Sequence, residues 1–140
     1  MISTGLDSPD DGDPMKGEEK VFLIVDDESD MCWALEHLLK KEGMPSIKAL
    51  NGEEALTLME ENRVDLVFLD AKLPDIEGFD LARQIREIDP RIPIVMITGY
   101  FYRDDAKVKK ALSEGLISKF IAKPFNHAEI LRTVEILCPS

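Results

Sequence analysis

Short apolar runs recur along the chain between stretches of mixed polarity, and these runs are continuous, not alternating. VFLIV (21–25), IKAL (47–50), VDLVFLD (64–70), IPIVMIT (92–98) and KFIA (119–122) read as strands. Strands with no polar alternation belong to a parallel sheet covered on both faces, since neither face meets water. Between them lie MCWALEHLLKKEG, stopped at Gly43, then EEALTLMEEN, FDLARQIREI, DDAKVKKALSEG and HAEILRTVEIL, all of helical composition. Asn51 with Glu54, and Asn126 with Glu129, stand in the N-x-x-E relation of a capping pair and open the second and fifth helices. Five strands alternating with five helices predict a doubly wound α/β domain with a parallel sheet.

Periodicity also orients the first helix. Met31, Ala34, Leu35, Leu38 and Glu42 share one stripe, so its apolar members are expected to face the sheet. Trp33 lies about 200° around the axis from Met31 and shares the outward face with His37 and Lys40. His37 and His127 read as surface residues. Residues 1–20, MISTGLDSPDDGDPMKGEEK, break the pattern: they carry six acids against two lysines and too little apolar surface to fold, which predicts a disordered acidic tail before a domain at 21–138.

Length and charge narrow the function classes. A chain of 140 residues is long enough for one domain with a real core. No apolar run approaches the roughly 18 to 20 residues needed to span a bilayer, and no basic start leads into an apolar stretch with a cleavage site. A cytoplasmic protein without membrane association is expected. The formal charge of −11 argues against direct nucleic-acid binding and suits divalent cations or basic partner surfaces. Cys32 and Cys138 have no metal-ligand spacing, and a disulfide between them is not expected.

In open parallel sheets the ligand site lies beyond the C-terminal ends of the strands. The first strand ends in Asp26 and Asp27, the third in Asp70, the fourth in Thr98, and Lys123 with Pro124 follows the fifth. Taken singly, each has an ordinary reading as a turn, cap, strand or surface residue. Together, three carboxylates crowded at one edge raise one another's pKa and destabilise the fold unless a cation sits among them. Hard oxygen ligands without histidine or cysteine favour Mg²⁺. Three carboxylates, one Mg²⁺ and one lysine sum to zero charge. A phosphoryl group could then be accepted on one carboxylate, and Asp70, at the end of the most apolar strand and followed by LPDIEG, is the candidate nucleophile.

With these residues assembled, residues 21–137 resemble the receiver domains of two-component response regulators. The matching pieces are VDDE at the first strand, D-x-x-L-P-x-x-x-G from Asp70 to Gly78, TGY from Thr98 and KPF from Lys123. The resemblance implies the strand order 2-1-3-4-5 and a phosphoryl group taken by Asp70 from the phosphohistidine of a sensor kinase or phosphotransfer protein. It implies that Asp27, Asp70 and the backbone carbonyl of Lys72 ligate Mg²⁺, with Asp26 acting mostly through water. Thr98 and Lys123 would contact the phosphoryl oxygens, the Lys123–Pro124 bond would be cis, and Phe120 would be the switch aromatic that moves with Thr98. Phenylalanine can make that movement but cannot donate the hydrogen bond of the tyrosine many members carry there.

The sequence departs from the family pattern in GLISKFIAK, Gly115 to Lys123, which is one residue longer than usual and has Leu116 in place of the commoner alanine. That puts the geometry before the fifth strand in question. Beyond the motifs, outward-facing Trp33 is a candidate anchor for the kinase, since exposed aromatics are enriched in interfaces. The resemblance implies that Lys72 and Tyr100, two residues beyond Asp70 and Thr98, border the path of hydrolytic water; both are bulky and predict a slowly hydrolysing aspartyl phosphate. The expected function is a phosphorylation-dependent switch whose only chemistry is self-phosphorylation and autodephosphorylation, not an enzyme. Its alternative is a receiver-like scaffold that binds without phosphorylation. A phosphatase with an aspartyl intermediate would want a second acid where Lys72 stands. No output domain follows residue 137, so a stand-alone receiver or a piece of a longer regulator is expected, and a homodimer through the fourth and fifth helices is an admissible consequence of phosphorylation.

Overall fold

The computed structural model describes residues 20–99 and 106–139. In chain order the elements are β1 (Phe22–Val25), α1 (Ser29–Lys41), β2 (Ser46–Ala49), α2 (Gly52–Glu61), β3 (Leu66–Leu69), α3 (Gly78–Ile88), β4 (Ile94–Thr98), α4 (Ala106–Ser113), β5 (Lys119–Ala122) and α5 (His127–Leu137). All strand pairs are parallel and the sheet order is β2-β1-β3-β4-β5, as the resemblance implied. The expected acidic tail lies outside the described residues except for Lys20, as does Tyr100.

Alternation along the strands sorts the core into two layers. Leu23, Val25, Val67, Leu69, Ile94 and Met96 point toward α2, α3 and α4, where they meet Ala55, Met59, Phe79, Leu81, Ile85, Val108 and Ala111. Phe22, Ile24, Leu66, Phe68, Val95, Ile97 and Ile121 point the other way, against Leu35, Leu38 and Leu39 of α1 and Ile130 and Val134 of α5. Both faces are covered, which is why the strands carry no polar alternation.

The stripe expected on α1 is turned slightly. Cys32, Leu35, Leu38 and Leu39 are buried, Met31 and Ala34 are only half-buried, and Glu42 is an exposed cap residue. Cys32 explains the rotation, because a thiol packs as a small hydrophobe and this one also reaches the Asp26 carbonyl at 3.2 Å. Trp33 faces outward as expected, 62% exposed. Both asparagine caps form: Asn51 Oδ1 accepts from the Glu54 amide at 2.8 Å and Asn126 Oδ1 from the Glu129 amide at 2.7 Å. Glu54 reaches back one residue further than the simple pair requires, to the Leu50 amide at 2.8 Å.

Two helices end in the same hydrogen-bonded turn. After α1, Gly43 adopts φ +75, its amide bonds to the Lys40 carbonyl, and the Met44 amide bonds to the Leu39 carbonyl. After α4, Gly115 adopts φ +77, its amide bonds to the Leu112 carbonyl and the Leu116 amide to that of Ala111. Glycine is suited to the left-handed residue of such a turn, and the following apolar residue packs back on the helix. This settles the longer run before β5: Leu116 packs against the α2–α4 core layer, and its carbonyl accepts from Arg86 Nε at 3.3 Å. Cys32 and Cys138 are both free thiols.

Candidate functional site

Four strands end at one place. β1 runs out into Asp26 and Asp27, and β3, its neighbour in register, runs out into Asp70. The Asp70 amide bonds to the Val25 carbonyl at 3.0 Å, which holds the two acidic strand ends side by side. From across β4, the Lys123 amide bonds to the Thr98 carbonyl at 2.8 Å, and the cis Lys123–Pro124 bond follows. Thr98 itself is fully buried. The sequence-predicted residues Asp26, Asp27, Asp70, Thr98 and Lys123 are thus gathered at the C-terminal edge of the sheet, with Lys72 beside them on the wall of the same cleft.

One carboxylate oxygen from each of Asp26, Asp27 and Asp70 lies within 4.8 Å of the other two. Asp26 and Asp70 are buried, whereas Asp27 is exposed. Lys123 Nζ sits among them, 2.6 Å from Asp26 Oδ2 and 3.6 Å from Asp70 Oδ2. Asp26 Oδ1 also accepts the Glu28 amide at 2.9 Å. Both Asp26 oxygens therefore have partners, while Asp70 Oδ1 is buried with no hydrogen-bond partner among the described residues.

The electrostatics follow from this asymmetry. Burial pushes the Asp70 carboxyl above the ordinary carboxylate range, against the opposing pull of Lys123, and the charge of Asp26 adds to the rise; the Lys72 amide and the Thr98 hydroxyl moderate it. Burial alone would lower the Lys123 ammonium, but the hydrogen bond and charge of Asp26, aided by Asp70 and Glu28, leave it raised. Lys123 is thus a fixed cation. Behind the site the Cys32 thiol is pushed up to about 11 by burial and by Asp26.

An ion that takes hard oxygen ligands fits these residues. Among the described residues Asp70 Oδ1 is a buried acceptor without a partner, and no sulfur or imidazole joins the cluster. Phe120 pairs with Met96 in the sheet register, so it shares a face with Met96 and, two residues on, with Thr98. It is half-buried against the α2–α4 core layer.

Three residues acquire roles the sequence did not reveal. Glu28 reaches Lys123 Nζ at 3.2 Å, which adds a fourth carboxylate and corrects the neutral charge count: with a divalent ion bound, the cluster would carry one net negative charge. Its presence in VDDE was visible, but nothing in the spacing placed it on a lysine 95 residues away. Asp75 accepts the amides of Gly52 at 2.9 Å and Glu53 at 3.0 Å, fastening the loop after β3 to the start of α2. Gly78 is required by space: a Cβ there would lie 2.4 Å from the Asp70 carbonyl oxygen and 2.7 Å from Ala71 Cα.

Comparisons with known proteins agree with this arrangement. Residues 22–135 match the family described as response regulator receiver domain. The chain is 36% identical over 121 residues to sporulation initiation phosphotransferase F of Bacillus subtilis, covering 86% of this chain and 94% of that protein. It is 35% identical over 129 residues to the alkaline phosphatase synthesis transcriptional regulatory protein PhoP of the same organism, covering 86% of this chain and 52% of that one. It thus spans nearly all of the first relative and about half of the second. Among solved structures, response regulator protein TrrA of Thermotoga maritima, in complex with Mg²⁺ and BeF, superposes with a TM-score of 0.74 at 35% identity, over 84% of this chain and 98% of that one.

Proposed function

Because the chain belongs to the receiver domains of two-component response regulators, whose part is to accept a phosphoryl group, we propose that Asp70 is the acceptor and that Asp26, Asp27, Thr98 and Lys123 serve it. The observation that carries this reading is the buried Asp70 carboxylate, with one oxygen unpartnered among the described residues, 3.6 Å from a cationic lysine and within 4.8 Å of two further acids. An Asp70 oxygen attacks phosphorus as the P–N bond of a phosphohistidine breaks, and the imidazole leaves with the electron pair. The Lys123 ammonium and the Thr98 hydroxyl then contact the phosphoryl oxygens.

Asp27, Asp70 and the Lys72 carbonyl would hold Mg²⁺ directly, and the ion would supply positive charge to the phosphoryl oxygens. Asp26, whose two oxygens already engage Lys123 and the Glu28 amide, suits a water-mediated role. As Thr98 is drawn toward the phosphoryl group, Phe120 on the same sheet face follows, which makes the pair one two-state element. Exposed Leu112 on α4 and Ile136 on α5 are consistent with a homodimer formed in that state. The donor is a sensor histidine kinase or phosphotransfer protein. Among the described residues no helix is long and apolar enough to cross a membrane.

Trp33 is proposed as the donor's anchor. Its ring stacks on His37 with centroids 5.1 Å apart and planes 7° from parallel, forming a stacked aromatic pair on the outer face of α1. Trp33→Ala should slow transfer from the cognate kinase while leaving uptake from acetyl phosphate unchanged; an unchanged kinase rate removes this role. The acceptor reading is tested by incubating the protein with acetyl phosphate and Mg²⁺ and measuring intact mass. Gain of one phosphoryl group by the native chain, and none by Asp70→Asn, is expected; no gain by the native chain overturns it.

A further inference from the structure

The Lys123 ammonium faces three carboxylates at once. It lies 2.6 Å from Asp26, 3.2 Å from Glu28 and 3.6 Å from Asp70, so the two nearest carboxylates are not the one to be phosphorylated. Glu28 is 63% exposed at its side chain, and although it is the N-cap residue of α1 it makes no side-chain capping bond. Its carboxylate instead turns across the mouth of the cleft to the lysine, in a conformation that orders a flexible, solvated side chain.

We propose that Glu28 is a positioning residue that restrains Lys123 before phosphoryl acceptance, so that its carboxylate sets how readily the ammonium is handed to the group on Asp70. The inference rests on Asp70 being the acceptor. At 3.6 Å from Asp70 Oδ2 the ammonium is outside good hydrogen-bond range, and to meet a phosphoryl oxygen it must loosen one of its two closer contacts. Releasing Asp26 would leave a buried carboxylate unpaired, which is costly. Releasing Glu28 frees an acid that water can solvate at once, so Glu28 is the contact that yields. The same carboxylate stands with Asp27 and Lys72 on the cleft wall, where an anionic donor must pass. With acetyl phosphate, the Asp70 O–P bond forms as the acyl O–P bond breaks and acetate leaves with the electron pair; Glu28 takes no part in the bonds and acts only through Lys123.

The test compares the native protein with Glu28→Gln, Glu28→Ala and Glu28→Asp at saturating Mg²⁺, following phosphorylation by acetyl phosphate as intact mass against time. Loss of an exposed ion pair predicts initial rates raised about three- to fivefold in the Gln and Ala variants. The Asp variant keeps the charge but is one methylene too short to hold the ammonium, and it should be raised as well. In parallel, the Lys123 side-chain nitrogen resonance of the metal-free proteins should shift in all three variants, a readout that does not depend on phosphorylation. Native-like rates in every variant overturn the inference, as does an Asp variant that behaves like native, which would mean that charge and not contact is at work. An unmoved Lys123 resonance overturns it too. A native chain that gains no phosphoryl group fails the acceptor reading instead, and the resonance still decides whether Glu28 holds Lys123.

Discussion

Replacing Asp70 by asparagine should make the metal-free protein more stable, a result opposite to what a buried residue in a core strand end would normally give. At an effective dielectric constant of about 20, the Lys123 ammonium at 3.6 Å attracts the Asp70 carboxylate by about 4.6 kcal/mol. Asp26 and Asp27, with ligand oxygens no more than 4.8 Å away, each repel it by about 3.5 kcal/mol on the same scale. Burial is the largest cost of the Asp70 charge. Lys123's pull, though stronger than the push of Asp26, is largely offset once Asp26 and solvent-facing Asp27 are counted, so a neutral asparagine relieves about 1–2 kcal/mol. For a domain of this size that is about 4–8 °C in melting temperature.

Urea or thermal unfolding in a chelator reads the effect. Asp70 has its folded pKa raised, so the stability linked to its protonation is present below the unfolded value and is lost as pH rises through the folded one. The advantage of Asp70→Asn should therefore be full at neutral pH and shrink as the carboxylate protonates. Magnesium reverses the order of benefit: at ten times its dissociation constant it should stabilise the native chain by about 1.4 kcal/mol and the asparagine variant by less. An Asp70→Asn protein that melts below the native one in chelator, or a magnesium shift equal in both, would refute the claim that the buried charge of Asp70 is held at a cost a metal ion relieves.

Asp75→Ala removes the acceptor of the Gly52 and Glu53 amides and should cost about 1 kcal/mol at neutral pH. Because those amides hold the Asp75 carboxyl below its usual range, its contribution is present above the unfolded pKa, and the difference from native should vanish as pH falls through the folded value. Gly78→Ala forces a Cβ against the backbone of Asp70 and Ala71 and should cost about 2–3 kcal/mol in urea unfolding while also impairing phosphoryl uptake; a native-like variant would show that this strand end gives way easily. Replacing Lys72 and Tyr100 together by small residues should shorten the lifetime of the aspartyl phosphate, followed by loss of the added mass, and an unchanged lifetime would count against crowding near phosphorus.

What the sequence could and could not disclose about this site divides along a physical line. Strands and helices were legible because burial on both faces leaves a one-dimensional trace, an unbroken apolar run, and because glycine at 43 and asparagine at 51 and 126 mark helix ends by local chemistry. The acids and the lysine were legible because parallel topology sends every strand's C-terminal end to the same edge, so that Asp26, Asp70, Thr98 and Lys123 must converge whatever the loops do. The rotation of α1 was missed because Cys32 was not counted as apolar. Glu28 and Asp75 were missed for a deeper reason: an exposed acid in a loop looks the same in sequence whether it is solvated or spans the fold, and only the distances to Lys123 and to the α2 amides distinguish the two. Groups that create the site's charge are therefore fixed by strand topology, whereas Glu28, which adjusts how that charge is shared, is fixed by where the first turn of α1 sets its side chain. Changes at position 28 should accordingly tune the site's reactivity without altering the fold, while changes at 26, 70 or 123 alter its charge balance itself.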